Sequence, residues 1–232
     1  MVQVNNNTPI TLRVKFFKVG KLQYISHLDL VRTMMKIIVR AKLPLWYTEG
    51  FNPKPKLVFA APLSIGTESR CEFMDIRLTE KMPPEEAIAR LNANMTEEMQ
   101  AIEAYYPEQK LTELRWLGYR IELFSPAISA ASAEAAVALF DRPTLPVMKK
   151  GKRGIREVDI KPLIKEISVS RTEGGMAIDC ILSADSANFL NPEHIVKLLR
   201  AELSLLAAED LTSEHYTILR TTAHREDMSE FK

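Results

Sequence analysis

Between Gly50 and Lys56 the chain reads Gly50-Phe51-Asn52-Pro53-Lys54-Pro55-Lys56, a turn that carries an aromatic ring and two lysines between two prolines. Each proline fixes its own φ and biases the residue before it, Asn52 or Lys54, toward extended backbone, so the cations are displayed on a stiff frame. Cations held beside an aromatic ring suit a partner that is anionic and stackable, and RNA is both. The plain alternative is that proline and glycine turn the chain while the lysines keep the turn hydrated. Trp46 and Tyr47 lie just upstream, and with Phe51 they form a set of rings able to stack on bases. Aromatic residues beside a strand are frequently core, so at least one of the three is expected to be buried.

A second basic element runs from Lys149 to Arg156, where Lys149, Lys150, Lys152, Arg153 and Arg156 supply five positive charges and no residue supplies a negative one. A glycine-spaced basic loop of this kind can wrap a phosphate backbone, ordering on contact and giving salt-dependent affinity. Arg32, Lys36 and Arg40, spaced by four, make a basic stripe along one face of an expected helix, which is either a binding stripe or a solvated face. His27, at the start of that helix, is the one candidate for acid–base chemistry. By fold-level analogy with repeat-processing RNA endonucleases it would act as a general base, with Lys54, Lys56 or Arg32 stabilising a phosphate. The competing role for His27 is packing at the helix start, with Ser26 as cap and Asp29 favoured by the helix dipole.

Composition narrows the field. The 232 residues are 46% hydrophobic and 26% charged, ordinary for a globular protein and long enough for two domains. A net charge of +1 means that charge distribution, not total charge, must carry any attraction for nucleic acid. No apolar stretch is long enough to span a bilayer, and the polar Met1 to Thr8 lacks the plan of a signal peptide, so a cytoplasmic location is expected. Cys71 and Cys180 sit in apolar runs and read as buried thiols, and no metal-ligand spacing or cofactor motif is present.

These residues need elements to position them. Ile10 to Lys18 alternates apolar and polar as a half-buried strand does. Ser26 followed by Asp29 signals a helix start, and Leu30, Val31, Met34, Ile37, Ile38 and Ala41 mark a core face through about Lys42. Strands are expected at Leu57 to Leu63, Glu72 to Thr79 and Met99 to Tyr106, with a helix opened by Pro84. The order is β-α-β-β-α-β, the split βαβ plan of an antiparallel sheet covered on one face by helices. The second half repeats it. Strands are expected at Tyr119 to Phe124, Ile164 to Arg171, Met176 to Ser183 and Tyr216 to Arg220. Helices are expected at Ala130 to Phe140 and from Pro192, capped by Asn191, to about Leu206. The expectation is an α+β chain of tandem ferredoxin-like domains at residues 9–106 and 117–222, with a linker at 107–116 and a C-terminal tail at 223–232. Both basic extras then follow the first helix of their repeat, and Asp141 to Pro162 reads as a long loop, functional or disordered.

The segments Tyr24-Ile-Ser26-His27-Leu28-Asp29-Leu30, Ala41-Lys42-Leu43-Pro44-Leu45 and Tyr47-Thr48-Glu49-Gly50-Phe51-Asn52-Pro53-Lys54-Pro55-Lys56 resemble a radical-SAM-linked family of bacterial proteins, the domain of unknown function 2344 family. Phe59-Ala60, Pro62-Leu63, Gly66 and the start of the Glu72 strand extend the match, and Arg156 to Ile160 resembles the family's exit from its basic loop. The resemblance implies histidine at position 54, where this chain has lysine. It also implies a partner, a radical-SAM enzyme encoded nearby or fused in relatives, in the neighbourhood of ribosome and RNA-processing genes. The three closely spaced cysteines that hold such an enzyme's cluster are absent from this sequence, so radical chemistry would belong to the partner. Three roles follow as expectations. One is a non-catalytic module presenting tRNA or rRNA to the radical-SAM enzyme; the others are an RNA endonuclease using His27 and a protein–protein adaptor.

Overall fold

The computed structural model describes residues 8–151, 154–206 and 213–232. It is an α+β protein that divides into two compact units, one ending at Glu113 and including Lys232, the other Leu114–Phe231.

In the first unit the alternating segment forms β1 (Ile10–Lys18), whose Leu12, Val14 and Phe16 are fully buried. Helix α1 (His27–Arg40) starts where the Ser26 hydroxyl accepts the Asp29 backbone N–H. Its Leu30, Met34, Ile37 and Ile38 bury against those β1 residues. Strands β2 (Leu57–Phe59) and β3 (Thr67–Leu78) follow, then α2 (Pro84–Asn92), opened by Pro84 and two glutamates in its first turn, and β4 (Met99–Tyr105). The sheet order is β4-β1-β3-β2, and every neighbouring pair is antiparallel. Ala87 and Leu91 of α2 join the same core as α1, so both helices lie on one face. The strand expected over Leu57 to Leu63 stops at Phe59. Ala60 makes one more bond to Phe73, after which Pro62 has no N–H to give and the chain leaves the sheet for the Gly66 turn, φ +83°. That early turn lets β3 begin at Thr67, five residues before the expected Glu72.

The second unit begins with β5 (Trp116–Phe124) and α3 (Ala130–Phe140), whose Ser129 and Ser132 cap each other reciprocally. Strands β8 (Ile164–Thr172) and β9 (Gly175–Ser183) pair about Gly174, φ +83°, and α4 (Glu193–Leu203) leads to β10 (His215–His224). The Asn191 side chain accepts the Glu193 N–H at 3.0 Å, and Pro192 is the residue before the first helical turn. The order is β10-β5-β9-β8, again antiparallel throughout, so β5, β8, β9 and β10 take the places of β1, β2, β3 and β4.

The stretch expected as a long loop at Asp141 to Pro162 is instead a hairpin, β6 (Pro146–Gly151) paired with β7 (Gly154–Asp159). Its period-two pattern is short: buried Val147 stands opposite Val158, while Met148 and Ile155 are apolar but exposed and charged residues lie among them. Its base is fastened by Asp159, whose Oδ1 accepts the N–H groups of Leu145 at 2.7 Å and Lys161 at 3.0 Å. The last strand also runs beyond the expected Arg220 to His224, and the segment after it folds back: Phe231 is fully buried and donates its N–H to Ala223.

Candidate nucleic-acid interface

Residues 46–56 form a short arm rather than an open turn. At its base, Trp46 donates its N–H to Arg77 of β3 at 2.8 Å, and Arg77 donates its own to Lys56 at 3.0 Å. Across the arm Tyr47 bridges Pro55, Thr48 donates to the Lys54 carbonyl at 2.9 Å, and the Lys54 N–H returns to the Thr48 hydroxyl at 3.1 Å. The prolines therefore sit in a frame closed by hydrogen bonds, and Gly50 turns its tip with φ +118°, a conformation open to glycine and strained for other residues. Phe51 at the tip is fully exposed, with Asn52 and Lys54 exposed beside it. Leaving a whole phenyl ring in water forgoes roughly 2 kcal/mol of burial. Lys56 holds its ammonium 5.8 Å from the centre of the Trp46 ring, a cation–π pair that half covers the indole. None of Trp46, Tyr47 and Phe51 is fully buried, contrary to the expectation for at least one of them.

On α1 the basic stripe is solvent-facing, since Arg32, Lys36 and Arg40 are all exposed. Arg32 is partly engaged, 3.3 Å from Asp29. The Ser26 hydroxyl donates to Asp29 Oδ2 at 2.7 Å, and this bond, ahead of Arg32, holds the Asp29 carboxyl below its usual range. His27 packs its ring edge-to-face on Phe59 at 5.4 Å, and Phe59 does the same on Phe16 at 6.1 Å. That contact fits the packing role. Among the described residues no group of His, Cys, Asp and Glu is arranged to hold a metal ion. Both cysteines are buried, and burial, with Asp179 second, pushes the Cys180 thiol up to about 12, outside the range of a working nucleophile.

The second basic element rides on the β6–β7 hairpin. Lys149 and Arg156 are cross-strand partners, and so are Lys150 and Ile155. Directly opposed like charges repel unless something separates them. Here Lys149 is drawn aside, donating to the Phe189 carbonyl at 3.1 Å, while Arg156 is exposed. After burial itself, and ahead of Lys197, the same ammonium lowers the His194 pKa. Lys152 and Arg153 lie outside the described residues. Sequence reasoning missed two features. One is Arg77, whose backbone anchors the arm; the other is Arg13, fully buried on β1 and bound to Asp75. Alternation marks Arg13 and Arg77 as lying on the face away from the core, and no local signal marks what they meet there.

No helix among the described residues is long and apolar enough to cross a membrane. No curated protein matches the chain. Among solved structures, a chain of a Cbf5-Nop10-Gar1 complex aligns with a TM-score of 0.49 at 11% identity, over 93% of this chain and 50% of that one. This chain thus spans half the length of that neighbour. An unknown protein from Galdieria sulphuraria aligns with a TM-score of 0.26 at 9% identity, over 92% of this chain and 99% of the other. The family described as an uncharacterized protein conserved in bacteria, DUF2344, matches residues 11–192 and with them the whole arm, the basic stripe and the hairpin, and the chain belongs to that family.

Proposed function

We propose that this chain is a non-catalytic RNA-binding module, two tandem ferredoxin-like domains in plan, that works in the cytoplasm by presenting tRNA or rRNA to a radical-SAM modification enzyme. The observation that carries the RNA-binding reading is Phe51, a fully exposed ring at the tip of a hydrogen-bonded arm with Lys54 and Lys56 on the same strand of that arm. A stacking platform beside cations binds unpaired bases with little sequence preference, and backbone contacts add salt-dependent affinity. The partner enzyme follows from the family resemblance.

The test is RNA retention by the full chain across a salt gradient, with crosslinking in cells to identify the attached RNA and bound protein. Phe51→Ala is expected to weaken binding by about 1–3 kcal/mol, the usual worth of one base–aromatic stack, with the melting temperature unchanged because the ring buries nothing. No retention at low salt, or retention indifferent both to Phe51→Ala and to neutralising Lys54 and Lys56, would overturn the reading. Metal-independent cleavage lost in His27→Ala would replace it with an endonuclease.

A further inference from the structure

Residues paired directly across an antiparallel sheet share a face. In the first unit Leu12 pairs with Ile76 and Val14 with Met74, all core. The alternate pairs, Thr11 with Arg77 and Arg13 with Asp75, together with Val58 opposite Asp75, therefore face away from the helices. Thr11, Val58, Asp75 and Arg77 line a groove of about 370 Å³, and residues 107–111 form its other wall.

The floor and that wall are tied together. Arg13 donates to the Asp75 carboxylate at 2.7 and 3.0 Å, and to the Gln109 carbonyl at 2.9 Å. Asp75 is thus neutralised by a bidentate partner and adds no net repulsion for an anion. Arg77 is placed differently. Its guanidinium, with five N–H donors, gives one to the Thr11 hydroxyl and is half-exposed in the groove. Lys110 brings a second, exposed cation on the opposite wall, where the exposed carboxylate of Glu108 also stands, so with Asp75 paired to Arg13 the lining stays net positive; Val58 and Pro107 supply apolar surface. The arm and the groove meet at Arg77, whose N–H and carbonyl hold Lys56 and Trp46. Phe51 is five positions from Trp46 and the chain bends over residues 49–52, so at about 3.3 Å per residue the start of the tip lies no more than roughly 16 Å from the base of the arm.

We propose that this groove is a nucleotide subsite, which seats one unpaired ribonucleotide of the same strand from which another base, further along, stacks on Phe51. The phosphate lies between Arg77 and Lys110, and the apolar face of the nucleoside lies on Val58 and Pro107. The proposal rests on the RNA-binding reading above and adds to it a second, enclosed contact point. The volume falls in the ordinary range for small-ligand sites.

The test follows the Val58 and Thr11 methyl resonances of the full chain during titration with a short single-stranded RNA of mixed sequence, and separately with uridine monophosphate. Both methyls are expected to shift with each ligand. Arg77→Gln is expected to weaken RNA binding several-fold and to reduce the salt slope by about 0.7, one phosphate contact on a single strand. Val58→Trp, which fills the groove and leaves every charge in place, is expected to weaken binding with the slope unchanged. This second variant keeps the test decisive if Arg77→Gln disturbs the arm. RNA binding that depends on Phe51 but leaves both methyls unmoved and tolerates both variants would overturn the subsite and leave the RNA-binding reading standing. Methyl shifts with uridine monophosphate in a chain that retains no RNA would support the groove and overturn the RNA-binding reading. Unmoved methyls with both ligands in a chain that also retains no RNA would overturn both.

Discussion

Trp46 and Phe51 are five positions apart on one arm, and their surroundings give them different work. Trp46 lies at the base, its N–H bound to β3 and its ring under the Lys56 ammonium, so it fixes the arm. Phe51 touches nothing that would hide it, so its surface is available to a ligand. At the start of α1 the Ser26 side chain caps the helix and also binds the Asp29 carboxylate. The Ser26 hydroxyl accepts the Asp29 N–H and donates to its carboxylate, and the carboxylate in turn meets Arg32. Asp29's folded pKa is depressed, with Ser26 the first cause. A depressed carboxyl stabilises the fold above its unfolded pKa, and that contribution fades as pH falls through the folded value. Ser26→Ala is therefore expected to raise the Asp29 titration midpoint toward the ordinary carboxylate range and to cost the helix about 1 kcal/mol through the lost cap. Carbon NMR of the Asp29 carboxyl against pH reads the first effect, and an unmoved midpoint would remove Ser26 as its cause.

The β6–β7 hairpin depends on one carboxylate at its base. Asp159 Oδ1 accepts from Leu145 and Lys161 on either side of the hairpin, and Leu145 and Ile160 beneath it are fully buried. Asp159→Ala is expected to cost about 1–3 kcal/mol by leaving a partly buried N–H unpaired, and amide exchange at Val147 and Val158 should accelerate first. Exchange unchanged there, with loss elsewhere, would place the hairpin's stability in its strands alone. Elements whose cause is local were legible in the sequence: the Ser26 cap, the Pro84 start and the alternation of β1. The hairpin was not, because in the sequence the run of cations and glycines from Lys149 to Arg156 obscures a period of two carried by one valine pair, Val147 with Val158. Nor was the anchoring of the arm. It depends on Arg77 standing beside Trp46 and Lys56, and on Arg13 finding Asp75 62 residues away, neither of which is encoded in neighbouring positions.

Across the whole molecule the charges nearly cancel, to +1, so long-range attraction contributes little to any nucleic-acid affinity. What remains is placement. Lys54 and Arg156 are exposed, each on a backbone hydrogen-bonded into a strand or arm, whereas Arg32 spends part of its charge on Asp29. A held cation contacts phosphate without first losing the freedom of its backbone, and each such contact on a single strand contributes about 0.7 to the salt slope. Two variants of the full chain separate placement from total charge. Replacing the exposed Glu85 and Glu97 by glutamine raises the net charge by two, and replacing Lys54 and Lys56 by glutamine lowers it by two. If total charge governed binding, the variants would move affinity equally and oppositely. Placement predicts asymmetry: the lysine pair should lower the salt slope by about 1.4, while the glutamate pair leaves it unchanged and speeds association slightly. Equal and opposite changes in slope, measured between low and physiological salt, would mean that RNA is drawn to the surface as a whole and that the arm has no special part in holding it.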